Sequence, residues 1–238
     1  MDDVSTTTLN PGLIGRFWDV TLGKKVLMAV SGVVMIGFVT GHMIGNLQLF
    51  IGQEQLNRYA IFLQSLGEIL WFIRVSLFIW LALHVINGIR LYFENKAARP
   101  LAYQYKNRVQ TKLSARLTIW TGLGIFAFVV YHLLHFTFIV TNPAYNNLTW
   151  NGHRDVYSMV VLGFNNPIIA AVYILAIACL ALHLRHSLQS MFQTMGWNSD
   201  KVLPKLDAFS LIYAWVMFIG YISMPIAVCL GVIKLPAG

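Results

Sequence analysis

Charge is what this sequence has least of. Only 11% of its 238 residues are charged, and only nine are Asp or Glu. A soluble domain carries about 25% charge, so a soluble enzyme is excluded. Disorder is excluded as well, because 57% of the residues are apolar, whereas disorder needs low hydrophobicity and high charge. Cysteine is nearly absent. Cys179 and Cys229 lie in apolar runs with no C-x-x-C partner, which leaves no thiolate metal site and no disulfide framework. There is no dinucleotide fingerprint and no low-complexity segment. The first 22 residues are polar, then mixed, and lack the small-residue cleavage pattern of a secretory signal.

What is present is apolar length. Mean hydropathy is +0.64. A bilayer core of about 30 Å needs about 20 apolar residues in a helix. Five stretches qualify, at about 26–50, 69–93, 115–140, 167–191 and 209–233. The predicted fold is therefore all-α: a single membrane domain over 1–238, with five transmembrane helices in one bundle. Phe17, Trp18 and Val20, beside Arg16 and Lys24, suggest a short interfacial segment within residues 1–25.

The net charge of +8 does not point to nucleic acid, because the basic residues flank the membrane. Arg16, Lys24 and Lys25 precede span one. Arg90, Lys96, Arg99, Lys106, Arg108, Lys112 and Arg116 fill and edge the connection between spans two and three, and Lys201 and Lys205 join spans four and five. The other side keeps Arg58, Arg74, Arg154 and Lys234. The positive-inside rule then puts the N-terminus and the basic loop in the cytoplasm and the C-terminus outside. The same loop could also serve as a docking surface for a cytoplasmic partner. The segment 141–166 is the longest outer loop.

Seven histidines are present, and six fall inside spans: His42, His84, His132, His135, His183 and His186. One such histidine reads as an interhelical hydrogen bond. Histidines in four of five spans read as function, because intramembrane ionisable groups are costly. At 1.5 Å per residue, His42 and His132 lie about 23–25 Å up outward-running spans. His84 and His183 lie about 22–24 Å down inward-running ones. The four form two layers, one near each membrane face. Paired imidazoles at matched depth suit octahedral haem iron, which takes one axial ligand from each flanking helix. The c-type attachment motif C-x-x-C-H is absent, so the haems would be b-type. Zinc lacks further ligands in either layer, and a proton relay would want carboxylates that the spans lack.

Gly37, Gly41 and Gly45 beside His42, Gly88 beside His84, and Gly122 and Gly124 in span three offer room for flat macrocycles, or ordinary close helix packing. His135 and His186 each follow a candidate ligand by three residues, on nearly the same face. Spacing does not choose between the members of each pair. The extra histidine could bond a haem propionate, a quinone or a backbone carbonyl.

The chain resembles the diheme, five-span cytochrome b558-type membrane subunit of succinate:quinone oxidoreductases (succinate dehydrogenase/fumarate reductase). The resemblance is carried by GHMIGNLQ around His42, LHVINGIRLYFENKAARP from His84, TGLGIFAFVVYHLLHF up to His132 and LALHLRHSLQS around His183. It implies four spans enclosing two stacked haems b. His42 and His132 would hold the distal haem, and His84 and His183 the proximal haem nearer the cytoplasm. His135 and His186 become supporting residues. The resemblance also implies a flavoprotein (FAD) subunit and an iron–sulfur subunit docked on the cytoplasmic side, since this chain has no fingerprint or cysteine cluster for such centres. The setting would be a prokaryotic plasma membrane, with membrane lipid around the chain and a higher oligomer of the complex open to it. The implied substrate is a quinone, typically menaquinone, bound near the outer face.

Glu68 is the expected proton-exchanging group for that quinone, at the outer start of span two beside Gly67, Trp71 and Arg74. Glu54, Asn57, Arg58, Tyr59 and Gln64 share its loop. A bland reading pairs Glu68 with Arg74. Ser31, Arg90, Arg185 and Gln189 are the expected haem-propionate partners. Trp71, Trp120, Trp150, Trp197 and Tyr213 read as interfacial belt anchors. Two rivals stand beside this reading. One is the diheme cytochrome b of a hydrogenase, formate dehydrogenase or nitrate reductase, most of which concentrate ligands on fewer helices. The other is a haem-free anchor or transporter. A transporter would want helices broken at the midplane, and Pro225 is the one strong breaker within a span.

Overall fold

The computed structural model describes residues 20–98, 113–197 and 199–236. The interfacial segment around Phe17 and Trp18 and the basic loop through Lys106, Arg108 and Lys112 lie outside them, as does the side chain of Arg116. Seven α-helices run through the described residues: α1 (Thr21–Asn46), α2 (Gln53–Ser65), α3 (Glu68–Ala97), α4 (Leu113–His132), α5 (Val156–Phe164), α6 (Pro167–Thr194) and α7 (Leu203–Cys229). Five helices among the described residues are long and apolar enough to cross a membrane. They are α1, α3, α4, α6 and α7, at the five stretches read from the sequence.

The ends follow local chemistry. Asn166 caps α6 by accepting from the N–H groups of Ile168 and Ile169, and Pro167 opens the helix where no N–H is needed. Pro225 does not break α7, which runs continuously through it. Span three ends differently. After His132 the chain makes a single π-helical turn over Leu133–Thr137, with Phe138 N–H donating to the Leu133 carbonyl. Such turns shift the register of the side chains that follow.

The outer connections are more ordered than expected. The stretch 51–68 is mostly helix α2 rather than a loop. The segment 141–166 holds a short 3-10 turn (Pro143–Asn147), a two-residue hairpin pairing Thr149–Trp150 with His153–Arg154, and α5. Helix α5 is buried along most of its length. The reason is a polar lock. Asp155 caps α5 through the Ser158 N–H (3.0 Å) and hydroxyl (2.6 Å), and it also accepts from Asn57 (2.8 Å) and Gln53 (2.7 Å) on α2. Asn57 returns the contact by accepting from the Tyr157 N–H at 3.0 Å.

Beneath this lock lies the main apolar core. It is built from Leu49, Leu56, Tyr157, Val161, Phe164, Tyr173, Met224 and Val228, so it sits at the outer end of the bundle. A smaller core of Met43, Leu184 and Met217 joins α1, α6 and α7. Span five is further tied to span one by hydroxyls. Tyr221 donates to the Val39 carbonyl (2.7 Å), and Tyr213 donates to Thr40 Oγ1 (2.6 Å), whose own proton goes to the Ile36 carbonyl. Tyr213 therefore points into the bundle, whereas Trp71, Trp120 and Trp197 are exposed as belt residues would be. Helix α3 packs along α1 and only lightly on α4, and its most apolar stretch contains no buried residue.

Candidate functional site

The bundle brings four of the six intramembrane histidines together in two pairs. His42 on α1 faces His132 at the end of α4, with ring centroids 5.8 Å apart. His84 on α3 faces His183 on α6 at 6.2 Å. The pairs are the ones that depth counting gives.

What holds each ring decides what its far nitrogen can do. Ser31 Oγ lies 3.1 Å from His84 Nδ1. The hydroxyl's single proton goes to the Leu27 carbonyl at 2.7 Å, so Ser31 accepts from Nδ1–H, and Nε2 is left as a bare lone pair. Thr121 repeats the device on His183. Its hydroxyl donates to the Leu117 carbonyl at 3.0 Å and lies 3.4 Å from His183 Nδ1. Fixing the tautomer through the second ring nitrogen is how proteins prepare an imidazole for a metal. In the outer pair, Asn46 donates to the His42 carbonyl at 2.7 Å and lies 3.3 Å from both ring nitrogens. The Tyr173 hydroxyl lies 3.3 Å from His132 Nδ1.

A metal–imidazole bond is about 2.0–2.1 Å, so two such bonds plus the reach to each ring centre span about 6 Å. The centroid spacing of each pair matches that of two imidazoles on one metal ion. The surroundings fit a flat macrocycle rather than a closed small-ion cage. Among the described residues no group of three or more His, Cys, Asp or Glu could hold a metal ion, so neither pair is part of a cage of protein ligands. A Cβ at Gly122 would stand 3.2 Å from His183 Cε1, so glycine is what lets α4 approach that ring. Gly37 and Gly41 face open space.

The other expected residues divide. Ser31 is fully buried, with its hydroxyl on the His84 ring. His135 is also buried and turns away from the pair. It stacks on Phe136 (4.0 Å) and Tyr131 (5.5 Å) and bonds Tyr173 at 2.9 Å. His186 is half-buried one turn inward of His183, and Arg90 and Gln189 are half-buried further inward. Arg185 stands two residues from His183 and so on the opposite side of α6. It lines an apolar groove of about 280 Å³ against α7, with Leu211, Ala214, Trp215 and Phe218. Glu68 is exposed at the first turn of α3 and touches neither histidine pair. Arg74 lies over the Trp71 ring at 5.3 Å, and among the described residues Glu68 forms no ion pair with it. Glu54 pairs with Arg58 on α2.

Sequence reading missed Thr121, Asn46 and Tyr173, which with Ser31 place polar side-chain atoms within 3.4 Å of the nitrogens of the paired rings. Thr121 and Asn46 carried a usable signal, since each is a polar residue on a helix face that also bears a candidate histidine or its packing glycine. Tyr173 carried none.

Residues 7–103 match the succinate dehydrogenase/fumarate reductase transmembrane subunit family. The matched stretch takes in spans one and two and so holds His42 and His84, one candidate from each layer. That match, over less than half of the chain, agrees with the likeness read from the sequence, and five apolar helices accord with a multi-pass membrane protein. No curated protein and no solved structure matches the chain.

Proposed function

We propose that the chain is the diheme cytochrome b anchor of a succinate:quinone oxidoreductase. Haem b would sit between His42 and His132 near the outer face, and between His84 and His183 nearer the cytoplasm. The observation that carries this reading is the orientation of the imidazoles: two pairs, about 6 Å between centroids, with hydroxyl groups on Nδ1 in three of the four. Bound haem supplies a one-electron carrier at each depth, through which electrons pass between a partner iron–sulfur subunit and a membrane quinone. The residues do the rest. Ser31 and Thr121 hold the inner rings, Tyr173 holds an outer one, and Gly122 leaves room beside His183. The dicarboxylate chemistry belongs to a flavoprotein partner docked with the iron–sulfur subunit on the cytoplasmic side.

Menaquinone is the quinone this reading favours, bound at the outer end near α2 and the start of α3. Glu68 is the proton-exchanging group proposed there, because it is the carboxylate at the outer end of span two and is exposed. The setting is a prokaryotic plasma membrane with the N-terminus inside.

The test is a pyridine haemochromogen assay with protein quantitation on the complex purified from its membrane. Two b haems per chain are expected. His84→Ala or His183→Ala should each remove one spectral component, and His42→Ala or His132→Ala the other. A native complex without haem would overturn the reading and leave an anchor.

A further inference from the structure

In the inner pair, each ring-holding hydroxyl sends its proton to a carbonyl one turn back on its own helix, from Ser31 to Leu27 and from Thr121 to Leu117. That leaves the hydroxyl able only to accept from imidazole Nδ1–H. Tyr173 holds His132 in the outer pair, but a phenol stands too far from its helix backbone to use such a carbonyl. Its hydroxyl instead meets a second imidazole, with His135 Nδ1 at 2.9 Å, nearer than His132 Nδ1 at 3.3 Å. One phenol proton cannot serve both rings. The geometry points to His135 as its acceptor, with His132 donating Nδ1–H to the phenol oxygen.

We propose that His135 is a positioning residue that acts through Tyr173. It accepts the phenol's hydrogen bond, so that His132 keeps its proton on Nδ1 and leaves Nε2 a bare lone pair. The fold is built to hold His135 there. The π-helical turn after His132 shifts the register of the chain. The ring is packed against Tyr131 and Phe136, and it is 1% exposed. Helix α5 closes on it through Gly163, where a Cβ would stand 3.0 Å from Phe136 and 3.3 Å from His135. His135 Nε2 is buried with no partner among the described residues. With Nδ1 accepting, Nε2 carries the ring proton, and leaving that N–H unpaired is a cost the fold bears to keep His135 in place.

The inference rests on the two-haem reading, and its test separates the two. Four variants are made in the full complex: H135L, H135Q, Y173F and the double variant H135L/Y173F. Haem per chain and the midpoint potentials of both b components are measured. In H135L the phenol has lost its acceptor and turns its proton to His132 Nδ1. This places the ring proton on Nε2 and should weaken outer-haem retention about 10–100-fold, the range for losing such a partner. In H135Q a carbonyl oxygen replaces the acceptor, and both haems should stay. In Y173F the forced tautomer is gone but so is the hydrogen bond to His132. Outer-haem retention should fall only by the loss of that bond, at the low end of the same range and by less than in H135L, with the midpoint potential raised because the imidazole donates less.

The decisive arm is the double variant, which should retain more outer haem than H135L alone. A purely structural role predicts that it retains less, and that result would overturn the inference. H135L with both haems and unmoved potentials would also overturn it. If H135L does not accumulate, H135A with and without Y173F takes its place, and the same two comparisons support or overturn the inference. The inner component serves as internal control for folding. A wild-type complex without haem would overturn the two-haem reading and this inference with it.

Discussion

Ser31 accepts from His84 across 3.1 Å while its own proton is held by its helix. This makes a serine with no exposed surface the determinant of which nitrogen His84 presents. Ser31→Ala should leave the chain folded but loosen the inner haem about 10–100-fold, the range for losing a partner of a ligating histidine. Ser31→Thr keeps the hydroxyl and should keep the haem. Haem retention during detergent dilution, followed at the Soret band, distinguishes the two.

Glu68→Gln should lower quinone turnover without changing haem content. General acid–base groups contribute about 10²–10⁴-fold, so a fall of about 100-fold is expected. Succinate-dependent reduction of an artificial dye by the partner subunits should be unaffected. Equal quinone activity in the variant and the wild type would remove Glu68 from the site.

Asp155 gives the outer cap a pH dependence. Burial pushes its carboxyl up, but the Ser158 hydroxyl and N–H, the Asn57 amide and the Gln53 amide together outweigh this and hold it below the ordinary carboxylate value. A lowered folded-state value means that the stabilisation is fully present above the unfolded value of about 3.9. It is lost as pH falls through the folded one. Proteolysis of the segment 141–166 in detergent should therefore accelerate only in strong acid. Asp155→Ala leaves buried donors without an acceptor, at about 1–3 kcal/mol each, and should open that segment already at neutral pH.

Lys24 and Glu94 form an ion pair between the inner ends of α1 and α3, and it is lopsided. The Lys24 side chain is 4% exposed and that of Glu94 41%. Removing the lysine leaves a carboxylate that water can solvate, whereas removing the glutamate strands a buried ammonium. Glu94→Gln should thus cost about 2 kcal/mol, below the 3–5 of a fully buried pair because one partner is half exposed. Lys24→Met should cost about 1 kcal/mol or less. The double variant should recover most of the Glu94→Gln loss. A double-mutant cycle on thermal unfolding of the detergent-solubilised chain measures all three.

The spans and the histidine layers were legible because both are carried by spacing along one helix at a time. Hydropathy sets the spans, and 1.5 Å per residue sets the depth. Helix α2 escapes a reading built on spans because its apolar run, Tyr59 to Leu63, is far too short to cross a membrane, although Glu54 and Arg58 stand at the i,i+4 spacing of a helical ion pair. The cap at Asp155 was also in reach, with Ser158 three residues on. Tyr173 was not. It lies 38 residues from His135 and 41 from His132, and a tyrosine in an apolar run looks the same whether its hydroxyl meets a ring or the membrane surface. Arg185 is an expected propionate partner as a polar residue at the inner end of span four; it stands more than half a turn past His183, and it lines the groove toward α7.

Helix α3 has one broad neighbour, α1, and a most apolar stretch with no buried residue. Its ring-to-ring meeting with α6 is through His84. On the two-haem reading, the inner prosthetic group is therefore also what fastens span two to the far side of the bundle. Subunit biogenesis inherits that arrangement. In cells starved of haem precursors, newly inserted chains would carry a transmembrane segment anchored on one flank only, the kind of defect that membrane proteases recognise. The abundance of this subunit should then track haem supply even when its transcript does not change.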